Sequence, residues 1–236
     1  MVGENLIESV FLFLLDSYGP QGWWPITTIN GKEPKCGNSL TTNCQRLEII
    51  FGAILTQNVA WKNVEKAIIN LTSEKLIDIE KVINIDKNKL GLLIRPSGYY
   101  NQKAIKLKNI CKFLRNYSLN LLLKTSMEKT REMLLKVSGI GPETADSILL
   151  YALEKPTFVV DAYTRRIFTS LGVFSNALKY ENIREIFMKS LPHDPKLFNE
   201  YHALIVRHAK EYYQKKSKLA DPLIKELNLL AGQNRK

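Results

Sequence analysis

Few backbone shapes satisfy the run Lys136-Val137-Ser138-Gly139-Ile140-Gly141-Pro142-Glu143-Thr144-Ala145-Asp146. Gly139 and Gly141 open positive φ and close backbone approach. Pro142 has its φ already set for a first helical turn and lacks only an N–H that the helix would not use. The run therefore predicts a tight hairpin that opens straight into a helix. Ala145, Ile148, Leu149 and Ala152 carry helical spacing after it, and Met133, Leu134 and Val137 carry it before. Two helices joined by Gly-Ile-Gly turn backbone N–H groups outward, which is a way to grip a phosphate without reading a base.

Charge says what such a grip is for. Lys and Arg number 34 against 23 Asp and Glu, a formal net charge of +11. A surplus of this size favours a polyanionic partner and makes its binding salt-sensitive. Charge alone is equally compatible with a merely basic protein, and it is the hairpin that selects nucleic acid. Cys36, Cys44 and Cys111 are odd in number and form no C-x-x-C pair, so neither a disulfide framework nor a zinc site is indicated. The apolar run from Val10 to Leu15 lies between Glu8 and Asp16 and is far short of the roughly 20 residues that span a bilayer. The expectation is a soluble intracellular chain without a membrane partner.

Apolar periodicity predicts helices over 5–18, 59–71, 77–85, 89–94, 99–117, 162–171, 183–191 and 198–215, with a weaker piece from Asp221 and frayed residues from Ala231 on. Leu47, Ile50, Phe51, Ile54 and Leu55 make a one-face stripe that leaves Gln57 and Asn58 at the C-terminal end of a rigid element. Gly19-Pro20-Gln21-Gly22 stops the first helix, and a loop carrying Trp23-Trp24-Pro25 runs to about Thr42. The two indoles either plug a junction or line a pocket. Arg95-Pro96-Ser97-Gly98 is a turn that presents Tyr99 and Tyr100 at a helix start, where an aromatic either wedges between base steps or staples the turn. Glu154-Lys155-Pro156 breaks the chain before a short extended run, Thr157 to Val160, that ends at Asp161. An aspartate directly before a helix is a favoured N-cap. No segment alternates with a period of two.

These motifs, in this order, resemble the helix-hairpin-helix DNA glycosylases of the endonuclease III type. The matching stretches are Leu55-Thr56-Gln57-Asn58, Ser97-Gly98-Tyr99-Tyr100-Asn101-Gln102-Lys103-Ala104, the hairpin itself and the downstream Asp161, and the likeness runs from about Trp23 to Lys210. Within the family the pattern is similar to the 3-methyladenine DNA glycosylases, which share W-W-P, R-P-S-G-[FY]-Y-N-Q-K-A and G-I-G-x-E-[ST]-A-D. The resemblance implies an all-α, two-lobed fold. Residues 43–153 form a six-helix barrel domain with the hairpin motif at about 131–153, residues 1–42 and 154–236 form a discontinuous second domain, and the cleft between the lobes holds an extruded base. It implies a monomer acting on double-stranded DNA that contains a damaged base, in the cytoplasm and near the nucleoid.

The same resemblance assigns residues. Asp161 is the catalytic carboxylate, whose fixed charge stabilises oxocarbenium character at the sugar and can orient the water. Gly139, Ile140, Gly141 and Thr144 belong to the DNA grip, Gln57 enters the space the base vacates, and Tyr99 is the wedge. Trp23 and Trp24 stack on a cationic alkylated purine, and Lys210, in His208-Ala209-Lys210, lies near the base pocket or is an ordinary surface lysine. Two departures from the endonuclease III type follow. Glu143 stands where bifunctional relatives carry the lysine that attacks the sugar, which implies a monofunctional enzyme acting through water. The four cysteines that hold a [4Fe-4S] cluster after the last long helix are missing, with Tyr212 and Tyr213 where the first is expected, so no metal or other cofactor is predicted. The basic Lys215-Lys216-Ser217-Lys218 stretch offers replacement phosphate affinity. The competing readings are an endonuclease III-type glycosylase and lyase for oxidised pyrimidines or mismatched bases, and a DNA-structure-binding protein without catalysis.

Overall fold

The computed structural model of the chain describes residues 2–27, 34–37, 40–213 and 220–225. The Lys215 to Lys218 stretch and the residues from Ala231 on lie outside these. Two compact units are present: Gly22–Thr157, and Met1–Gln21 together with Phe158–Lys236. Both are helical. Residues 22–27, 34–37 and 40–42 group with the hairpin-bearing unit, not with the terminal unit where the sequence reading placed them. The reason is packing: the Trp24 ring lies against α2 (Asn43–Leu55), on the Cα of Gly52, where an added Cβ would come within 2.8 Å of the ring. A two-residue ribbon, β1 (Ile26–Thr27) antiparallel to β2 (Pro34–Lys35), adds strand to the expected loop.

α2 organises the first unit. Thr42 and Gln45 form a capping box at its start, each side chain taking the other's backbone N–H. Every residue from Leu47 to Leu55 is buried, so the helix is enclosed all round and not along one stripe as its spacing suggested. Around it stand α3 (Trp61–Ser73), α6 (Tyr100–Asn116), α9 (Pro142–Ser147) and the π-helical continuation of α9 (Ile148–Ala152). Short helices α4 (Ile79–Asn84) and α5 (Lys87–Leu93) lie against α6. α7 (Leu119–Lys124) and α8 (Met127–Leu135) lead into the hairpin, each started by a serine, Ser118 or Ser126, whose hydroxyl caps the first turn. α7 went unread because six residues are too few to establish a period, although Ser-Leu-Asn-Leu-Leu-Leu-Lys is a legible cap and helix.

In the terminal unit α1 (Val2–Tyr18), α10 (Ala162–Ser170), α11 (Tyr180–Ser190) and α12 (Pro195–Tyr212) pack around an aromatic core. Phe158 stacks on Phe187 at 3.9 Å between centroids, and Phe168, Phe198 and Tyr201 meet them edge-on. The buried Tyr201 hydroxyl donates to Ile7 O at 2.7 Å, which ties α12 to α1. Among the described residues no helix is long and apolar enough to cross a membrane.

Candidate functional site

The hairpin forms as its residues dictate, with one difference between its glycines. Gly139 has φ +95°, and a Cβ there would meet the Lys106 stem at 2.5 Å. Gly141 has φ −94° and ψ 178°, an extended N-cap with open space around the position of a Cβ. The turn thus needs glycine at 139 for its own geometry, whereas at 141 glycine leaves the approach to α9 bare. Ile140 points inward and is buried, so only its backbone belongs to the hairpin surface. Thr144 is also buried, its hydroxyl accepting from Gln57 Nε2 at 2.9 Å. Asp146 anchors the motif from behind: both oxygens take a fork from Arg131 of α8, at 2.9 and 3.0 Å, and Thr157 Oγ1 adds a third bond at 2.9 Å.

Gln57, one residue past the α2 cap, lies against this hairpin. Its Nε2 reaches Gly139 O at 3.3 Å as well as Thr144, and its Oε1 accepts from Lys106 Nζ. The next residue, Asn58, is left-handed at φ 57°, as is Tyr99 at φ 46°. Non-glycine residues adopt this conformation at a cost of roughly 1 kcal/mol or more, and Lys75 and Glu154, outside the stretches marked for DNA contact, adopt it too. Tyr99 is 69% exposed, while Tyr100 is half-buried and its ring lies over Gly91.

Behind the Tyr99 turn sits a buried lysine. Lys103 is 2% exposed, and its ammonium donates to Leu55 O at 2.8 Å and Ser97 O at 2.5 Å. Burial, with the neighbouring Lys106 charge, pulls its pKa down to about 8. The signal was available in the sequence: Lys103 precedes Leu107, Ile110 and Leu114 at helical spacing and so falls on the buried face of α6.

The indoles form a cluster of three. Trp23 and Trp24 lie 5.1 Å apart, and Trp61, the first residue of α3, meets them at 4.9 and 5.2 Å. Trp24 is 8% exposed and also touches Tyr151 at 5.0 Å, whereas Trp23 and Trp61 are half-buried. Trp61 was missed because helical spacing alone gives a first-turn aromatic no special place.

Asp161 lies in the other unit as the N-cap of α10. Its Oδ1 accepts from Thr164 N at 2.7 Å and Thr164 Oγ1 at 2.9 Å, and its Oδ2 stands 3.8 Å from His202 Nε2 of α12. Burial lowers the His202 pKa against the upward pull of Asp161, so the imidazole is neutral at pH 7. His202 was not foreseen, since a lone histidine on a helix carries no local signal. Lys210 is exposed on α12. Glu143 is exposed in the first turn of α9, where the helix dipole favours a carboxylate.

Tyr212 and Tyr213 stand at the end of α12 beside a buried polar network. Tyr18 OH and His208 Nδ1 are 2.9 Å apart, His208 Nε2 lies 2.9 Å from Asp221 Oδ1, and Tyr213 OH donates to Asp221 Oδ2 at 2.5 Å. Burial pushes the Tyr18 and Tyr213 hydroxyls up to about 12, so both stay protonated donors. Among the described residues no group of three or more His, Cys, Asp or Glu side chains is arranged to hold a metal ion.

Residues 51–193 match the HhH-GPD superfamily of base excision DNA repair proteins. A Methanocaldococcus jannaschii protein named "Putative DNA repair glycosylase" is 47% identical over 95% of this chain and 96% of its own length. Among solved structures, the H. pylori 3-methyladenine DNA glycosylase bound to 1,N6-ethenoadenine is 28% identical, with TM-score 0.68 over 88% of this chain and 97% of that one. A non-covalent complex of endonuclease III with DNA superposes with TM-score 0.71 over 91% and 89% of the two chains, at 18% identity, a likeness of fold.

Proposed function

The chain belongs to the HhH-GPD superfamily of base excision DNA repair proteins, and from that premise we propose that it is a monofunctional glycosylase that hydrolyses the N-glycosidic bond of alkylated purines in duplex DNA. The observation that carries the monofunctional reading is Glu143. Where the resemblance places the lyase lysine, this chain has an exposed carboxylate in the first turn of α9. A carboxylate forms no imine with an opened sugar, which leaves water as the nucleophile. In that reaction water adds to the sugar's anomeric carbon and gives up a proton to solvent, the bond to the base nitrogen breaks, and the cationic base departs neutral with the electron pair.

Asp161 is assigned the charge that this step needs. Its Oδ1 is fixed by the helix cap, so the carboxylate is held in place before substrate arrives. His202, whose pKa burial lowers, stands 3.8 Å from the carboxylate's other oxygen. The alkylpurine assignment rests on the likeness to the 3-methyladenine enzyme and on the indoles of Trp23 and Trp24. A cationic alkylated base stacks well on an electron-rich ring and needs little help to leave. Of the two, Trp23 is the more accessible. Gly139, Gly141 and the backbone of Ile140 grip phosphate, and Tyr99 is the wedge.

Duplexes carrying 3-methyladenine, 1,N6-ethenoadenine, an oxidised pyrimidine or a mismatch, incubated with the protein and then heated in alkali, test this directly. The expected result is alkali-dependent breakage at the alkylated purines, intact strands before alkali, and no protein–DNA adduct trapped by borohydride. A strong trapped adduct overturns the monofunctional assignment, and excision confined to the oxidised pyrimidine overturns the substrate class.

A further inference from the structure

Three side chains on α6, spaced three residues apart, together reach three turns of the hairpin-bearing unit: the end of α2, the turn at Ser97 and the hairpin. Lys103 donates to Leu55 O and Ser97 O, Lys106 to Gln57 Oε1, and Asn109 Nδ2 to Ser138 O at 3.1 Å. The middle one holds a side chain, not a backbone group, and that side chain is the one assigned to enter the duplex.

The orientation of the Gln57 amide follows from its partners. An ammonium only donates and a carbonyl only accepts, so Oε1 must face Lys106 and Nε2 must face Gly139 O. Turning the amide over would set like against like at both ends. Lys106 is itself fixed, because its methylene stem fills the space beside Gly139 that a side chain at that position would otherwise occupy. The hairpin, the lysine stem and the glutamine amide therefore determine one another.

We propose that Lys106 is a positioning residue for base excision: by holding the Gln57 amide oxygen it pre-sets the side chain that enters the vacated space, and so fixes which hydrogen-bonding edge is presented to the nucleotide opposite the lesion. This rests on the glycosylase reading above. Once Lys106, Gly139 and Thr144 are engaged, both N–H groups are taken and the amide has only its remaining oxygen lone pair to offer, in a set direction. Discrimination among opposite bases then comes from a rigid pattern and not from a rotating amide.

Lys106→Met tests this, since it keeps a stem over Gly139 and removes the ammonium. In the free protein the side-chain amide resonances of Gln57 should move toward those of an exposed glutamine, with the melting temperature close to wild type. In single-turnover excision the rate should fall roughly tenfold, the cost of letting one long side chain rotate, and the spread of rates over the four opposite bases should narrow. Lys106→Arg, which retains a donor, should restore most of both. In a Gln57→Ala background Lys106→Met should change little further. Unmoved Gln57 resonances overturn the proposal. So does an effect that persists undiminished without Gln57, or one that appears as weaker binding with the salt slope reduced by about one, which marks a phosphate contact. Because the resonances are read without DNA, a protein that excises nothing from the panel would refute the glycosylase reading while leaving the test of the clamp intact.

Discussion

Each unit holds one set of buried polar groups in its own way. In the hairpin-bearing unit, three lysines, two on α6 and one in the non-helical stretch after the α9 continuation, donate to carbonyls at helix ends and turns. Lys103 serves Leu55 and Ser97, Lys108 serves Val82, Ile83 and Ile85, and Lys155 serves Leu123 and Thr125. In the terminal unit the work is done between side chains, through the Tyr18, His208, Asp221 and Tyr213 chain. Helix C-termini leave carbonyls unsatisfied and attract cations, so the first arrangement satisfies the backbone with cations. The second ties the 220–225 segment to α12. The lesson is that buried polar groups can be partnered either by cations on carbonyls or by a chain of side chains.

The largest effect should come from a change that touches neither arrangement. Asp161→Asn retains a helix-capping oxygen, so melting should shift little, while single-turnover excision should fall by about two or more orders of magnitude. Near-normal excision would remove Asp161 from the chemistry. Gly139→Val should come next, because a β-branched residue at φ +95° also collides with the Lys106 stem. A loss of about 2–4 kcal/mol in unfolding free energy is expected, with DNA binding weakened alike for damaged and undamaged duplexes. A defect confined to damaged DNA would contradict the phosphate-grip role.

Lys103→Met breaks the lysine arrangement at its most buried point. Two carbonyls lose their donor, offset in part by relief of a buried charge, and a net cost of about 2–3 kcal/mol at pH 7 is expected. The sign of the pH dependence is fixed by the lowered pKa. Between about 8 and the ordinary 10.5 the unfolded chain binds more protons than the folded one, so the Lys103 contribution makes stability rise with pH in that window. Chemical denaturation at pH 7.5 and 9.5 should show the wild type gaining on Lys103→Met. A constant gap would mean the ammonium is not desolvated as its burial implies.

Asp221→Asn should have the smallest effect, about 1–2 kcal/mol near neutrality, and the opposite pH window. Burial raises the carboxyl's pKa, but hydrogen bonds from His208 and Tyr213 outweigh this and bring it below the ordinary 3.8. Stability from the ionised form is therefore present above that value and is lost as pH falls through the lower folded pKa. The wild-type advantage over Asp221→Asn should shrink only in strong acid. If both variants lost their differences in the same window, the contrast between the units would fail.

Local chemistry made some of this legible and left the rest out of reach. Gly139, Pro142 and Asp161 announce themselves because φ, the missing N–H and the cap are properties of a few consecutive residues. Lys103 was half-legible, since its place on the apolar face of α6 could be counted, but its two carbonyl partners come from 48 and 6 residues away. The grouping of Trp24 with α2 depends on Gly52, and the place of Trp61 depends on Trp23 and Trp24. Contacts of that kind exist only once the helices have packed.

The three-residue spacing of Lys103, Lys106 and Asn109 makes α6 intolerant of a change in length between them. One residue inserted between 103 and 109 would turn everything beyond it by about 100° and advance it by about 1.5 Å. The three turns would then be addressed from the wrong side. The same insertion after Asn109 would pass unnoticed by them.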